Sequence, residues 1–206
     1  MRDWVKRAAT VLDLGRGGYL SQMGWFRTVR EGRSVDANGE PLPWMTYAAI
    51  AFLEPRLARD MTVFEYGSGG STLWWARRVA RIFSVEHDAQ FFETLKAQLP
   101  ANATLFHVPL DESGAYAEKV SAVGTGLDVI VIDGRDRVRC AAKALTALAP
   151  SGVIVWDNSD RTEYQPGYQL LSDRGFRRLD FSSMGPLNAY GWCTSIFYRS
   201  DNRLGI

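Results

Sequence analysis

The chain has 206 residues, 46% of them hydrophobic and 23% charged, with a formal net charge of +1. That length and composition fit one α/β domain with a core of its own, and the near-neutral balance supplies no global field to recruit nucleic acid or a membrane surface. Two cysteines, Cys140 and Cys193, are too few for a disulfide scaffold and lack metal or redox spacing, so they read as free thiols of a reducing, cytoplasmic setting.

The first fifteen residues are charged and lack the apolar run of a secretory leader. No stretch reaches membrane-spanning length. Val5 to Leu14 reads as a helix ended by Gly15, residues 15–43 as a loop rich in Gly and Arg, and Trp44 to Leu57 as a helix preceded by Pro43. With no strand in sight, residues 1–60 read as an N-terminal helical extension or substrate lid on a domain of residues 61–206.

From Met61 onward short apolar runs alternate with helical spacings. Strands are expected at 62–66, 81–86, 103–108, 127–133 and 152–157, with helices at 71–80, 89–99 and 137–148. This alternation specifies βαβ units and a parallel sheet with helices on both faces. A helix at 164–175 ends at Gly175. Two last strands, 176–183 and 192–199, are joined by a segment too short for a crossover helix but suited to an antiparallel return.

The first strand runs into Glu65-Tyr66-Gly67-Ser68-Gly69-Gly70-Ser71 and then a helix. Gly67 and Gly69 let the backbone turn tightly and approach a ligand, and Ser71 and Thr72 can cap the helix. Such a loop is the usual cofactor site of a doubly wound sheet. A dinucleotide fingerprint would place its third glycine where Thr72 stands. Glu65, just upstream, would repel a pyrophosphate and help hold an ammonium group. Glu86 ends the second strand, about twenty residues after Gly67, where a carboxylate accepts ribose hydroxyls. The pattern favours a zwitterionic, cationic ligand over a polyphosphate; the bland alternative makes both acids solvated strand ends and the glycines a structural turn.

Glu-x-Gly-x-Gly-Gly-Ser-Thr, then Ser-Val-Glu, then an apolar strand ending in Asp, resembles the class I S-adenosylmethionine-dependent methyltransferases over roughly residues 61–198. The resemblance implies a Rossmann-like, seven-stranded, mostly parallel sheet in the order 3-2-1-4-5-7-6 with an antiparallel last strand. It implies that Glu65, Gly67, Ser68, Gly69, Gly70 and Ser71 hold the methionine part of S-adenosylmethionine and that Glu86 holds the ribose. Asp111 or its neighbours would lie along the adenine. His87 can touch the adenine edge or be a plain loop histidine, and His107 has the same two readings.

Asp133-Gly134-Arg135 ends strand four and Asp157-Asn158 ends strand five. Two carboxylates and an amide oxygen are hard donors suited to Mg2+, and such an ion would lower the pKa of a substrate hydroxyl. Asp133, Asp157 and Asn158 match the metal positions of the cation-dependent O-methyltransferases of the catechol type. That resemblance implies methylation of a small polar or sugar-like hydroxyl. The type carries a lysine base shortly after the strand-four Asp; here stand Arg135, Asp136 and Arg137. Arginine stays protonated, so deprotonation would fall to the metal or to Asp136, and the catalytic candidates are Asp133, Arg135 and Asp136. Each piece alone is also ordinary turn chemistry, and Asp136 can cap the next helix. A metal-independent methyltransferase and a non-catalytic cofactor-binding module are the alternatives.

Arg135, Arg137, Arg139 and Arg161 can grip an anionic small-molecule substrate or pair with Asp136 and Asp160. Trp25 and Trp44 can cover the substrate site, whereas Trp74, Trp75 and Trp156 read as core. No nucleic-acid partner is expected, and an oligomer is left open.

Overall fold

The structure, a computed structural model, describes residues 2–206, without the side chains of residues 2, 3 and 14–16. Seven strands form one sheet: β1 (Thr62–Tyr66), β2 (Arg81–Glu86), β3 (Ala103–His107), β4 (Leu127–Ile132), β5 (Leu148–Asp157), β6 (Arg177–Ser183) and β7 (Trp192–Tyr198). Their order is 3-2-1-4-5-7-6, and β7 runs antiparallel to both neighbours, as the sequence leads one to expect.

The central strands are apolar on both sides because both sides are covered. Phe64, Tyr66, Ile130, Ile132, Ile154 and Trp156 belong to one core cluster. It is shared with α7 (Ala115–Glu118), α8 (Arg137–Ala147) and α9 (Gln165–Asp173). The alternate residues, Val63, Val129, Val131, Val153 and Val155, belong to a second cluster. That one is shared with α4 (Tyr47–Leu53) and α5 (Gly70–Ala76). Helix α6 (Ala89–Lys96) starts at Asp88, whose carboxylate accepts the Phe91 N–H at 2.8 Å.

The N-terminal region departs from the expected pattern. Helix α1 (Arg2–Arg16) continues through Gly15. The expected loop at 15–43 holds α2 (Tyr19–Gln22) and α3 (Trp25–Glu31). Gly24 and Gly32, with φ of 80° and 66°, cap α3 at its two ends, so glycines that suggest a loop in fact punctuate helices. The expected helix from Trp44 begins only at Tyr47 and tightens into a single 3-10 turn over Glu54–Arg56. Pro55 has no N–H with which to continue an α-helix.

Residues 42–53 also do more than extend the domain. Leu42, Met45, Tyr47, Ile50 and Leu53 are all part of the second core cluster. Cys140 and Cys193 are free and buried. Among the described residues, no helix is long and apolar enough to cross a membrane.

Candidate active site

Strands β1 and β4 are neighbours at the point where the chain changes from one half of the sheet to the other. Loops leaving their C-terminal ends form the crevice in which open α/β sheets take ligands. Gly67 has φ +87°, and a Cβ on it would lie 2.6 Å from Gly134 Cα. The two loops therefore meet glycine to glycine, and a side chain on Gly67 would push them apart.

Glu65 is fully buried beneath this loop. Its Oε2 accepts the Thr72 hydroxyl at 2.5 Å and the Ser84 hydroxyl at 2.9 Å. The Thr72 hydroxyl in turn accepts the Gly69 N–H at 3.0 Å. Thr72, the residue that breaks the dinucleotide fingerprint, thus ties the glycine loop to the buried acid. Glu65 Oε1 has no donor among the described residues. Burial pushes the carboxyl up to about 7, against the opposing effect of the Ser71, Thr72 and Ser84 hydroxyls. An unsatisfied buried acceptor costs roughly 1–3 kcal/mol, which a donor such as an ammonium group would relieve.

Glu86 is buried too, but its oxygens are used. Oε1 accepts the N–H groups of His87 and Asp88 at 2.8 and 2.9 Å. Oε2 accepts the Ser68 N–H at 3.2 Å and the Ser68 hydroxyl at 2.9 Å. These bonds pin the end of β2 to the glycine loop. His87 Nδ1 lies 2.8 Å from Glu86 Oε1 but is poorly aligned for a hydrogen bond. His107 Nε2 is 3.3 Å from the His87 carbonyl. Asp111 is exposed and accepts the Ser113 hydroxyl, which holds its carboxyl below the ordinary range.

At the ends of β4 and β5 the structure assembles a cluster the sequence only half reveals. Arg137, the first residue of α8, is 6% exposed. Its Nη2 donates to Asp133 Oδ1 at 3.1 Å and to the Asp133 carbonyl at 3.0 Å. Its Nε donates to the Gly134 carbonyl at 3.0 Å, and Nη1 to the Asp157 carbonyl. Asp157 Oδ1 accepts Trp192 Nε1–H at 2.9 Å and the Thr194 hydroxyl, and Oδ2 lies 3.2 Å from the same indole nitrogen. Burial, then the neighbouring Asp157 charge, raises the Asp133 carboxyl well above the usual range; Arg137 opposes this. Burial lifts Asp157 to about 6, with Thr194 and Trp192 pulling the other way.

This donor set does not fit the Mg2+ expected on Asp133, Asp157 and Asn158. Magnesium requires oxygens converging in a near-octahedral shell, whereas both Asp157 oxygens are turned to Trp192 and Thr194. A buried guanidinium already bridges the two strand ends. Among the described residues, no three His, Cys, Asp or Glu side chains gather as a metal site. Asn158 is half-buried in the left-handed region, φ 51°.

The four arginines named from the sequence differ in setting. Arg137 turns inward, Arg139 Nε lies 3.3 Å from exposed Asp136, and Arg135 and Arg161 are exposed. Asp136, in the left-handed region with φ 49°, makes no side-chain cap to α8. Trp74, Trp75 and Trp156 are core, as expected. Trp44 is 49% exposed, and Trp25 donates its indole N–H to the Asn188 carbonyl at 2.9 Å. Residues missed by the sequence reading are Trp192 and Thr194. The antiparallel register pairs Thr194 directly with Asp157, and only the length of the β6–β7 connection could have hinted at it.

No family model and no curated protein matches the sequence. Solved structures do. A methyltransferase from Geobacter sulfurreducens is 17% identical, with TM-score 0.54 over 94% of this chain and 96% of that one. A Klebsiella pneumoniae protein assigned as an O-methyltransferase is 18% identical, with TM-score 0.57 over 89% of this chain and 90% of that one. A Streptococcus mutans protein in complex with SAH is 11% identical, with TM-score 0.53 over 73% of this chain and 95% of that one. At such identities the likeness is one of fold, and it agrees with the strand order: the chain has the Rossmann-like fold of the class I methyltransferases.

Proposed function

We propose that the chain is an S-adenosylmethionine-dependent methyltransferase that acts on an oxygen of a small polar or sugar-like molecule. The observation that carries the cofactor reading is Glu65 Oε1, a buried acceptor with no donor among the described residues, beneath a glycine loop. It suits the amino group of S-adenosylmethionine, and the fold supports the same reading. Bound there, the cofactor would supply an electrophilic methyl group on a cationic sulfonium.

This chain's own residues would do the holding. A Cβ on Gly69 would make only ordinary contacts, no nearer than 3.9 Å, so the loop is not crowded at that point. Glu86 would take the ribose hydroxyls, in exchange for the Ser68 hydroxyl that now fills one of its acceptor positions. Asp111 and His87 would lie toward the adenine. The segment before α4 would be the substrate lid: a Cβ on Gly70 would stand 2.9 Å from the Leu42 carbonyl, so this segment lies against the start of α5.

Oxygen is favoured as acceptor by Asp133. Its side chain is 22% exposed, with Oδ1 held by Arg137. A carboxyl raised above its usual range is a stronger proton acceptor, suited to take the proton of a hydroxyl. Asp136, the other candidate base, faces Arg139 instead. An anionic acceptor would rely on exposed Arg135 and Arg161.

Calorimetric titration with S-adenosylmethionine, with NAD as the control, tests this. Micromolar binding of the first alone, weakened at least ten-fold in Glu65→Ala, is the expected result. No binding by protein stripped of co-purified ligand would overturn it.

A further inference from the structure

We propose that Arg137 is a resident cation that takes the seat between the strand-four and strand-five acids, so that the site works without a divalent metal. The inference rests on the methyltransferase reading only where transfer itself is measured. Asp136 adopts φ 49° immediately before α8, and Arg137, the first helical residue, is buried behind it. Its guanidinium touches both strand ends at once: Asp133 through Oδ1 and carbonyl, Gly134 through its carbonyl, and Asp157 through its carbonyl. Its carbon Cζ also lies 5.4 Å from the centre of the Tyr164 ring.

A surface ion pair would need none of this. A cation at the N-terminus of a helix opposes the helix dipole, and burying it costs several kcal/mol unless its N–H groups are paired. Here four hydrogen bonds meet that cost, and three of them go to backbone carbonyls at the ends of β4 and β5. The rigid planar fork is the feature that allows this, because its donors point in fixed directions. The result is a positive charge bonded to the Asp133 carboxylate and to the backbone of Asp157, the electrostatic service a metal would give, supplied by a side chain that cannot dissociate. Arg137 is therefore a positioning residue: it holds Asp133 in one orientation and leaves Oδ2 for the acceptor.

Metal titrations of the full chain and of its variants test the idea. Wild-type protein titrated with Mn2+ and with Mg2+ should show no saturable binding, no rise in Tm, and unchanged methyl transfer in chelator. Arg137→Met empties the seat and should bind Mn2+ at least ten-fold more tightly than wild type, read by the loss of the free-ion paramagnetic signal. Adding Asp133→Asn should abolish that gain. Arg137→Lys should restore indifference to metal. Saturable metal binding in the wild type, abolished by Asp133→Asn, would overturn the inference. A folded Arg137→Met that gains no metal affinity would overturn it as well. If Arg137→Met does not fold, the wild-type titration alone decides. S-adenosylmethionine binding measured in parallel keeps the two claims apart: bound cofactor with metal-dependent transfer sinks this one, and absent cofactor binding sinks the other.

Discussion

Glu65 has one oxygen bonded to Thr72 and Ser84 and the other without a hydrogen bond among the described residues, and burial makes stability depend on pH in a definite direction. Below pH 4.5 the group is protonated in both the folded and the unfolded chain. Between 4.5 and about 7 the unfolded chain loses the proton while the folded one keeps it. The group's contribution is therefore complete below 4.5 and lost as pH rises to about 7, and the loss amounts to about 3 kcal/mol. Asp157, lifted to about 6, leans the same way, so the comparison must be with Glu65→Gln. Urea unfolding at several pH values between 5 and 7.5 should give a falling curve for wild type and a flatter one for the variant; parallel curves would assign the slope elsewhere. The two loop glycines should separate in a second measurement. Gly67→Ala puts a side chain at φ +87° against Gly134 and should cost about 1–3 kcal/mol in thermal stability. Gly69→Ala, with φ 168° and only ordinary van der Waals contacts for its Cβ, should leave Tm unchanged while weakening cofactor binding.

Strand β7 acts on the site from the far side of β5, and its effect is felt through one carboxylate. Trp192→Phe removes the N–H that reaches both Asp157 oxygens, and the smaller ring also gives up some packing, a loss that does not depend on pH. Because that bond lowers the Asp157 pKa, its loss should raise the pKa above about 6. Stability should then fall by about 1–3 kcal/mol, more at pH 8 than at pH 5, since only the ionised carboxylate needs the donor. Equal losses at both pH values would show that the indole acts only by packing. This arrangement could not be read from the chain. The parallel strands were legible because buried apolar runs such as 127–132 and 153–157 have few other uses. The glycine loop was legible because strand, glycines and acid are contiguous. The Asp157–Thr194 pairing depends on the antiparallel register, which the β6–β7 connection sets through tertiary packing. Arg137 read as one of several arginines at the start of a helix, because spacing does not say which residue of a first helical turn faces inward. The helices α2 and α3 were hidden by Gly24 and Gly32, which serve equally as loop residues and as caps.

Across the whole molecule, the two core clusters meet through the sheet, since alternate residues of β1, β4 and β5 point into each. The second cluster is completed by residues well ahead of the first strand, and this separates two truncations that look alike on paper. Within α1, Trp4, Val5, Val11 and Leu12 are all more than half exposed. Deleting residues 2–16 should therefore lower helical circular dichroism and leave Tm nearly unchanged. Deleting residues 2–60 removes Leu42, Met45, Tyr47, Ile50 and Leu53 from the core. At about 1.5–3 kcal/mol for each buried side chain, that loss approaches the whole stability of an ordinary domain, about 5–15 kcal/mol. It also removes Thr46, whose N–H and hydroxyl each lie 3.1 Å from the Thr194 hydroxyl that clamps Asp157. The 61–206 fragment should consequently lack a cooperative melt and bind no S-adenosylmethionine, while the 17–206 fragment should melt cooperatively and bind it. A cooperative melt of 61–206 would mean that β1, β4 and β5 can bury their second face without the N-terminal segment, and that the domain truly begins at Met61.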